Sequence, residues 1–65
     1  MQIKLNGNTH NLDEVTTVAN LISELNLTGR LAVEINEEIV PRSLFAERKI
    51  KPGDIVEIVH AIGGG

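Results

Sequence analysis

The chain has 65 residues, a formal net charge of −3 from six Lys/Arg against nine Asp/Glu, 42% hydrophobic residues, one aromatic and no cysteine. A single domain of this length sits near the lower limit for folding alone, and its core is too small to enclose a large pocket, which argues against an autonomous enzyme. Disulfides and thiolate metal sites are excluded, and the one basic cluster (Arg48, Lys49, Lys51) is too short and too poor in aromatics for a nucleic-acid footprint.

The opening Met1-Gln2-Ile3-Lys4 turns polar within a few residues, so no signal peptide is expected. No apolar run approaches the ~20 residues of a membrane span. The expectation is a cytoplasmic protein that engages neither membrane nor nucleic acid.

Ile3-Lys4-Leu5 alternates apolar and polar, as a half-buried strand does. Asn6-Gly7 then supplies two residues tolerant of positive φ, the preference of a type I′ hairpin turn. Thr9-His10-Asn11-Leu12 should return as a second strand, polar enough for a sheet edge. After a connection through Asp13 to Thr16, Thr17 is placed to cap a helix with its hydroxyl. Val18, Leu21, Ile22 and Leu25 follow at i, i+3, i+4 and i+7, one face of an amphipathic helix that ends around Leu27 and Gly29.

Leu31-Ala32-Val33-Glu34-Ile35 reads as a third strand, with Leu31, Val33 and Ile35 towards the helix. Asn36-Glu37-Glu38 turns it into a short fourth strand, Ile39-Val40, which Pro41 ends by removing a ladder donor. A helical turn over Ser43 to Arg48 should tuck Leu44 or Phe45 against the core. Lys51-Pro52-Gly53-Asp54 is a turn into the last strand, which is apolar on both faces: Val56 and Ile58 on one, Ile55 and Val59 on the other. Two apolar faces predict an interior position, parallel to the first strand. The order β-β-α-β-β-β then predicts an α+β, β-grasp (ubiquitin-like) domain over residues 1–61, a mixed sheet of four to five strands with one helix across one face. Residues 62–65 are expected as a flexible glycine tail.

A β-grasp domain ending in Gly63-Gly64-Gly65 resembles ubiquitin and the bacterial sulfur carriers. The stretch Ala32-Val33-Glu34-Ile35-Asn36-Glu37-Glu38-Ile39-Val40-Pro41-Arg42 resembles the ThiS family, the sulfur carriers of thiamin thiazole synthesis, as does Gly53-Asp54-Ile55-Val56-Glu57-Ile58-Val59 followed by the glycines. The resemblance implies that an E1-like (ThiF-like) adenylating enzyme, using ATP and Mg, converts the Gly65 carboxylate to an acyl adenylate. It also implies that a cysteine desulfurase relay supplies sulfur to make a thiocarboxylate, and that a thiazole synthase (ThiG-like) consumes it. The chain would then be a co-substrate that binds no cofactor or metal of its own. Glycine suits that task, because a tail without Cβ can approach a nucleotide closely.

Ile55 and Val59, with Ile62 beside the tail, are candidates for partner docking, against a competing role in self-association. His10 and His60 lie on different strands and no third ligand accompanies them, so surface histidines are expected. Asn36, Pro41 and Arg42 carry the resemblance but are read only as a turn and a strand end. Two other functions fit the same residues: a carrier for another pathway, like the small subunit of molybdopterin synthase, or a ubiquitin-like interaction module without acyl chemistry. His60-Ala61-Ile62 before the glycines, in place of the aromatics and proline usual in the molybdopterin family, favours ThiS.

Overall fold

The structure, a computed structural model, describes residues 1–61. The first hairpin pairs β1 (Gln2–Leu5) with β2 (Asn8–Asn11), Leu5 opposite Asn8. Asn6 and Gly7 turn it at φ +50° and +85°, as a type I′ turn requires. The second hairpin, β4 (Leu31–Ile35) with β5 (Glu38–Val40), has the same geometry, with Asn36 and Glu37 at φ +53° and +70°. A left-handed glutamate is uncommon, and nothing in its residue type announces it.

Between the hairpins runs α1 (Val18–Glu24), whose start is well supplied with acceptors. Thr17 Oγ1 accepts from Asn20 N–H at 3.2 Å, while Val18 and Ala19 donate to the carbonyls of Arg48 and Phe45. Three amides that a helix N-terminus leaves orphaned are thereby satisfied. The helix stops earlier than expected. Asn26, at φ +56°, sends its N–H to Ser23 O, and Leu27 sends its own to Ile22 O, the paired bonds of a Schellman cap. Gly29 belongs to the loop beyond.

The last strand, β7 (Ile55–His60), lies at the centre of a five-stranded sheet of order β2-β1-β7-β4-β5. It runs parallel to β1 and antiparallel to β4. Fold and strand order agree with the β-grasp expectation. The polar β2 and the short β5 form the edges, as their composition predicts.

Two pieces depart from it. Thr16–Thr17 (β3) and Lys49–Ile50 (β6) make a second, two-stranded ladder that adds two strands to the expected order. It carries Ile50, fully buried although flanked by Lys49 and Lys51. The expected turn over Ser43 to Arg48 begins one residue sooner, as a 3-10 turn at Arg42–Leu44. Phe45 packs against the core and Leu44 stays exposed.

The core fills the space between α1 and one face of the sheet. Val18 and Leu21 from the helix meet Ile3, Val33, Ile35, Val40, Val56 and Ile58 from the strands, with Leu12 and Ile50 closing the ends. Ile22 and Leu25 are half-buried at its margin. Among the described residues no helix is long and apolar enough to cross a membrane.

Candidate functional site

Among the described residues the outer face of the sheet is uncovered, because the one α-helix they form occupies the inner face. Alternation places Ile55, Glu57 and Val59 of β7 outward, since Val56 and Ile58 are buried. Register then sets their neighbours: Lys4 beside Ile55, Glu34 opposite Glu57, Ala32 opposite Val59, and Ile39 on the far side of Glu34. Ile55 and Val59 are 54% and 56% exposed, and Ile39 is 78% exposed. The expected docking residues Ile55 and Val59 thus share one face. Ile39 joins them; the burial of Val40 is what turns it outward.

Two asparagines hold the strand that carries this face. Asn6 places its side-chain amide against Ile58, Nδ2–H donating to the carbonyl at 3.0 Å and Oδ1 accepting the N–H at 2.9 Å. It continues the ladder where the β1 backbone has already turned away. Asn36 does the same on the other flank: its Oδ1 accepts from Ile55 N–H at 2.9 Å, and its backbone N–H donates to Ile55 O at 2.8 Å. Asn36 Nδ2 also donates to Asp54 Oδ1, while Asp54 Oδ2 accepts from Lys51 N–H and closes the entering turn. Asn36 therefore does more than turn a hairpin. It fixes the start of β7.

The exit from β7 is fixed as well. Ala61 N–H donates to Arg30 O at 2.9 Å, and His60 Nε2 lies 3.1 Å from Thr28 O, a contact that needs the proton on Nε2. Gly29 makes this loop possible with φ +90°. Ile62, Gly63, Gly64 and Gly65 lie outside the described residues.

His10 sits opposite Ile3 on β1, whereas His60 ends β7 about six strand rises further along, ~20 Å away. Among the described residues no group of three His, Cys, Asp or Glu is placed to hold a metal. Two open clefts of about 280 and 220 Å³ indent the described residues. Ligand pockets run to roughly 300–1,000 Å³ and are mostly apolar; the larger of these clefts is lined by Asp13, Glu14, Thr16, Asn20, Ser23 and Glu24 with Leu12. Neither cleft includes Ile55 or Val59. The described residues thus present an exposed apolar face and an anchored end to the last strand.

Comparison with known proteins is consistent with this arrangement. The family model described as the ThiS family matches residues 3–65. The sulfur carrier protein ThiS of Bacillus subtilis is 32% identical over 65 residues, covering 97% of this chain and 98% of the relative. A thiazole synthase of Paramagnetospirillum magneticum is 44% identical over 66 residues; the alignment takes in all of this chain but only 20% of that protein's length. Among solved structures, the crystal structure of the thiamine biosynthesis protein ThiS of Geobacter metallireducens superposes with a TM-score of 0.89 at 33% identity, each chain covered completely.

Proposed function

The chain belongs to the ThiS family of sulfur carriers in thiamin biosynthesis, and from this premise we propose that the Gly65 carboxylate is the group that carries the sulfur. An α-carboxyl with a pKa of about 3.5 is ionised at neutral pH. One of its oxygens attacks the α-phosphorus of MgATP held by an E1-like adenylating enzyme, the Pα–O–Pβ bond breaks, and pyrophosphate leaves. The terminal sulfur of a persulfide from a cysteine desulfurase then attacks the acyl carbon and AMP departs. A thiol reduces the resulting acyl disulfide to the thiocarboxylate, whose polarisable sulfur is the nucleophile for thiazole formation by a thiazole synthase. In this scheme the chain is a co-substrate. ATP and Mg belong to the partner, and the chain binds no cofactor.

The whole-length likeness to ThiS carries this reading. Support for the thiazole synthase as partner comes from the relative of that name, part of which resembles this entire chain. Gly63 and Gly64 would thread the enzyme cleft, and Ile55 and Val59, with Ile62, would dock the domain beside it. Four residues beyond Ala61 reach at most ~14 Å when fully extended, so the domain must sit close to the cleft mouth.

The test weighs the intact chain after incubation with the adenylating enzyme, MgATP and a sulfide source. The expected gain is sulfur minus oxygen, confined to the peptide ending at Gly65. One residue added after Gly65 displaces the carboxylate by ~3.5 Å and should abolish the gain without altering the melting curve, because near-attack geometry tolerates errors of only about 1 Å. An unchanged mass with a competent enzyme would transfer the chain to the interaction-module class.

A further inference from the structure

The outer face carries a pairing that the free fold gains nothing from. Glu34 and Glu57 stand directly opposite each other on β4 and β7. Residues so placed have Cβ atoms about 4.5–5.5 Å apart, and like charges there destabilise the sheet. Apolar side chains surround the rung. Ile39 is opposite Glu34 on β5, Ala32 and Val59 form the next outward rung, and Ile55 precedes Glu57 on the same face. Lys4, on the adjoining strand, sends its Nζ to Thr9 Oγ1 at 3.3 Å, on the side away from β7. Two carboxylates thus share one rung within an apolar, exposed surround.

We propose that the Glu34–Glu57 rung receives one arginine guanidinium from the adenylating partner, with Ile39, Ile55 and Val59 sealing the contact from water; this rests on the carrier reading above. A guanidinium suits the rung because its planar fork can donate to both carboxylates at once. It is also more weakly hydrated than an ammonium, which lowers the cost of entering an apolar surround. Charge complementarity selects the occupant. A partner that binds ATP beside its docking surface needs cationic groups there, whereas a second copy of this chain laid face to face would bring four carboxylates into one interface.

The experiment compares wild-type chain with Glu34→Gln, Glu57→Gln and the double variant, using the purified adenylating enzyme as the probe. Each single variant should weaken binding about tenfold, the range for losing a charge-assisted hydrogen bond. The salt dependence of affinity should flatten in the double variant. In the adenylation assay the loss should fall on KM and leave kcat unchanged, while the free variants melt at the same temperature as wild type or higher. Greater stability with weaker binding is the signature that a purely structural role would not give. Folded variants with unchanged affinity and salt dependence would overturn the proposal while wild-type adenylation still upholds the carrier reading. A wild-type chain that fails to bind the enzyme overturns both. A dimer of the free chain that tightens in the double variant would also overturn it, by assigning the face to self-association.

Discussion

The two faces of β7 meet opposite fates although one six-residue strand supplies both. Inward, Val56 and Ile58 lie under α1 in a core with Leu21, Ile35 and Ile50. Outward, Ile55 and Val59, of the same shape and hydrophobicity, face solvent on either side of Glu57, and nothing among the described residues covers them. The difference shows that apolar content does not decide burial here. A domain with one helix can cover one face of its sheet, so the other is free to be shaped for a partner. On the carrier reading proposed above, stability and recognition would become nearly independent properties of alternate residues.

The harshest test of that independence removes the inner face's main plug. Leu21 is fully buried, and Leu21→Ala should cost about 2–5 kcal/mol. At roughly 0.05–0.15 kcal/mol per residue the whole domain holds about 3–10 kcal/mol, so the substitution should remove a large part of its stability. Urea titration followed by circular dichroism measures this; a loss below 1 kcal/mol would mean that α1 does not anchor the core.

A change in the ladder, which serves both faces, should fall in between. Asn6→Ala strips Ile58 of its side-chain donor and acceptor at a position only 4% exposed, and leaving such groups unpaired costs about 1–3 kcal/mol. Amide exchange at Ile58 should accelerate more than at Val33, which the Asn6 amide does not touch. Uniform acceleration would indicate global destabilisation in place of a local release. The mildest change lies outside: Val59→Thr keeps the branched shape on an exposed strand position and should shift stability by no more than about 0.5 kcal/mol. A melting shift corresponding to more than 1 kcal/mol would show that the outer face contributes to the fold and that the two faces are not independent.

Much of this contrast is legible in the sequence because alternation is a local signal. Ile55 to Val59 announce both faces, Asn6-Gly7 announces its turn, and Thr17 its cap. The helix end at Asn26 is less visible, since Gly29 is the stronger breaker on paper and asparagine adopts the left-handed region only with local support. The β3–β6 ladder has no periodicity to detect: two residues on each side are shorter than a single alternation. Ile50 is therefore hidden in a basic stretch, although it is as buried as Leu21. The Glu34–Glu57 rung depends on register between segments more than twenty residues apart, which only the folded sheet reveals. Glycines 63–65 announce themselves by composition alone.

The Asn6-Gly7 corner has a bearing on how the protein ages. Asparagine before glycine is the dipeptide most prone to deamidation, because with no Cβ in the way the glycine nitrogen can close on the side-chain carbonyl carbon and expel ammonia. Hydrolysis of the ring then leaves aspartate or its isomer with one extra backbone methylene. In the folded chain both polar atoms of that side chain are engaged with Ile58, so cyclisation must first detach the amide from the central strand. An unfolded copy has no such guard. A copy that has reacted can no longer donate to Ile58 O, and its isomer no longer fits the two-residue turn. Damage at this corner therefore accrues with time spent unfolded, and each damaged molecule unfolds more readily than before.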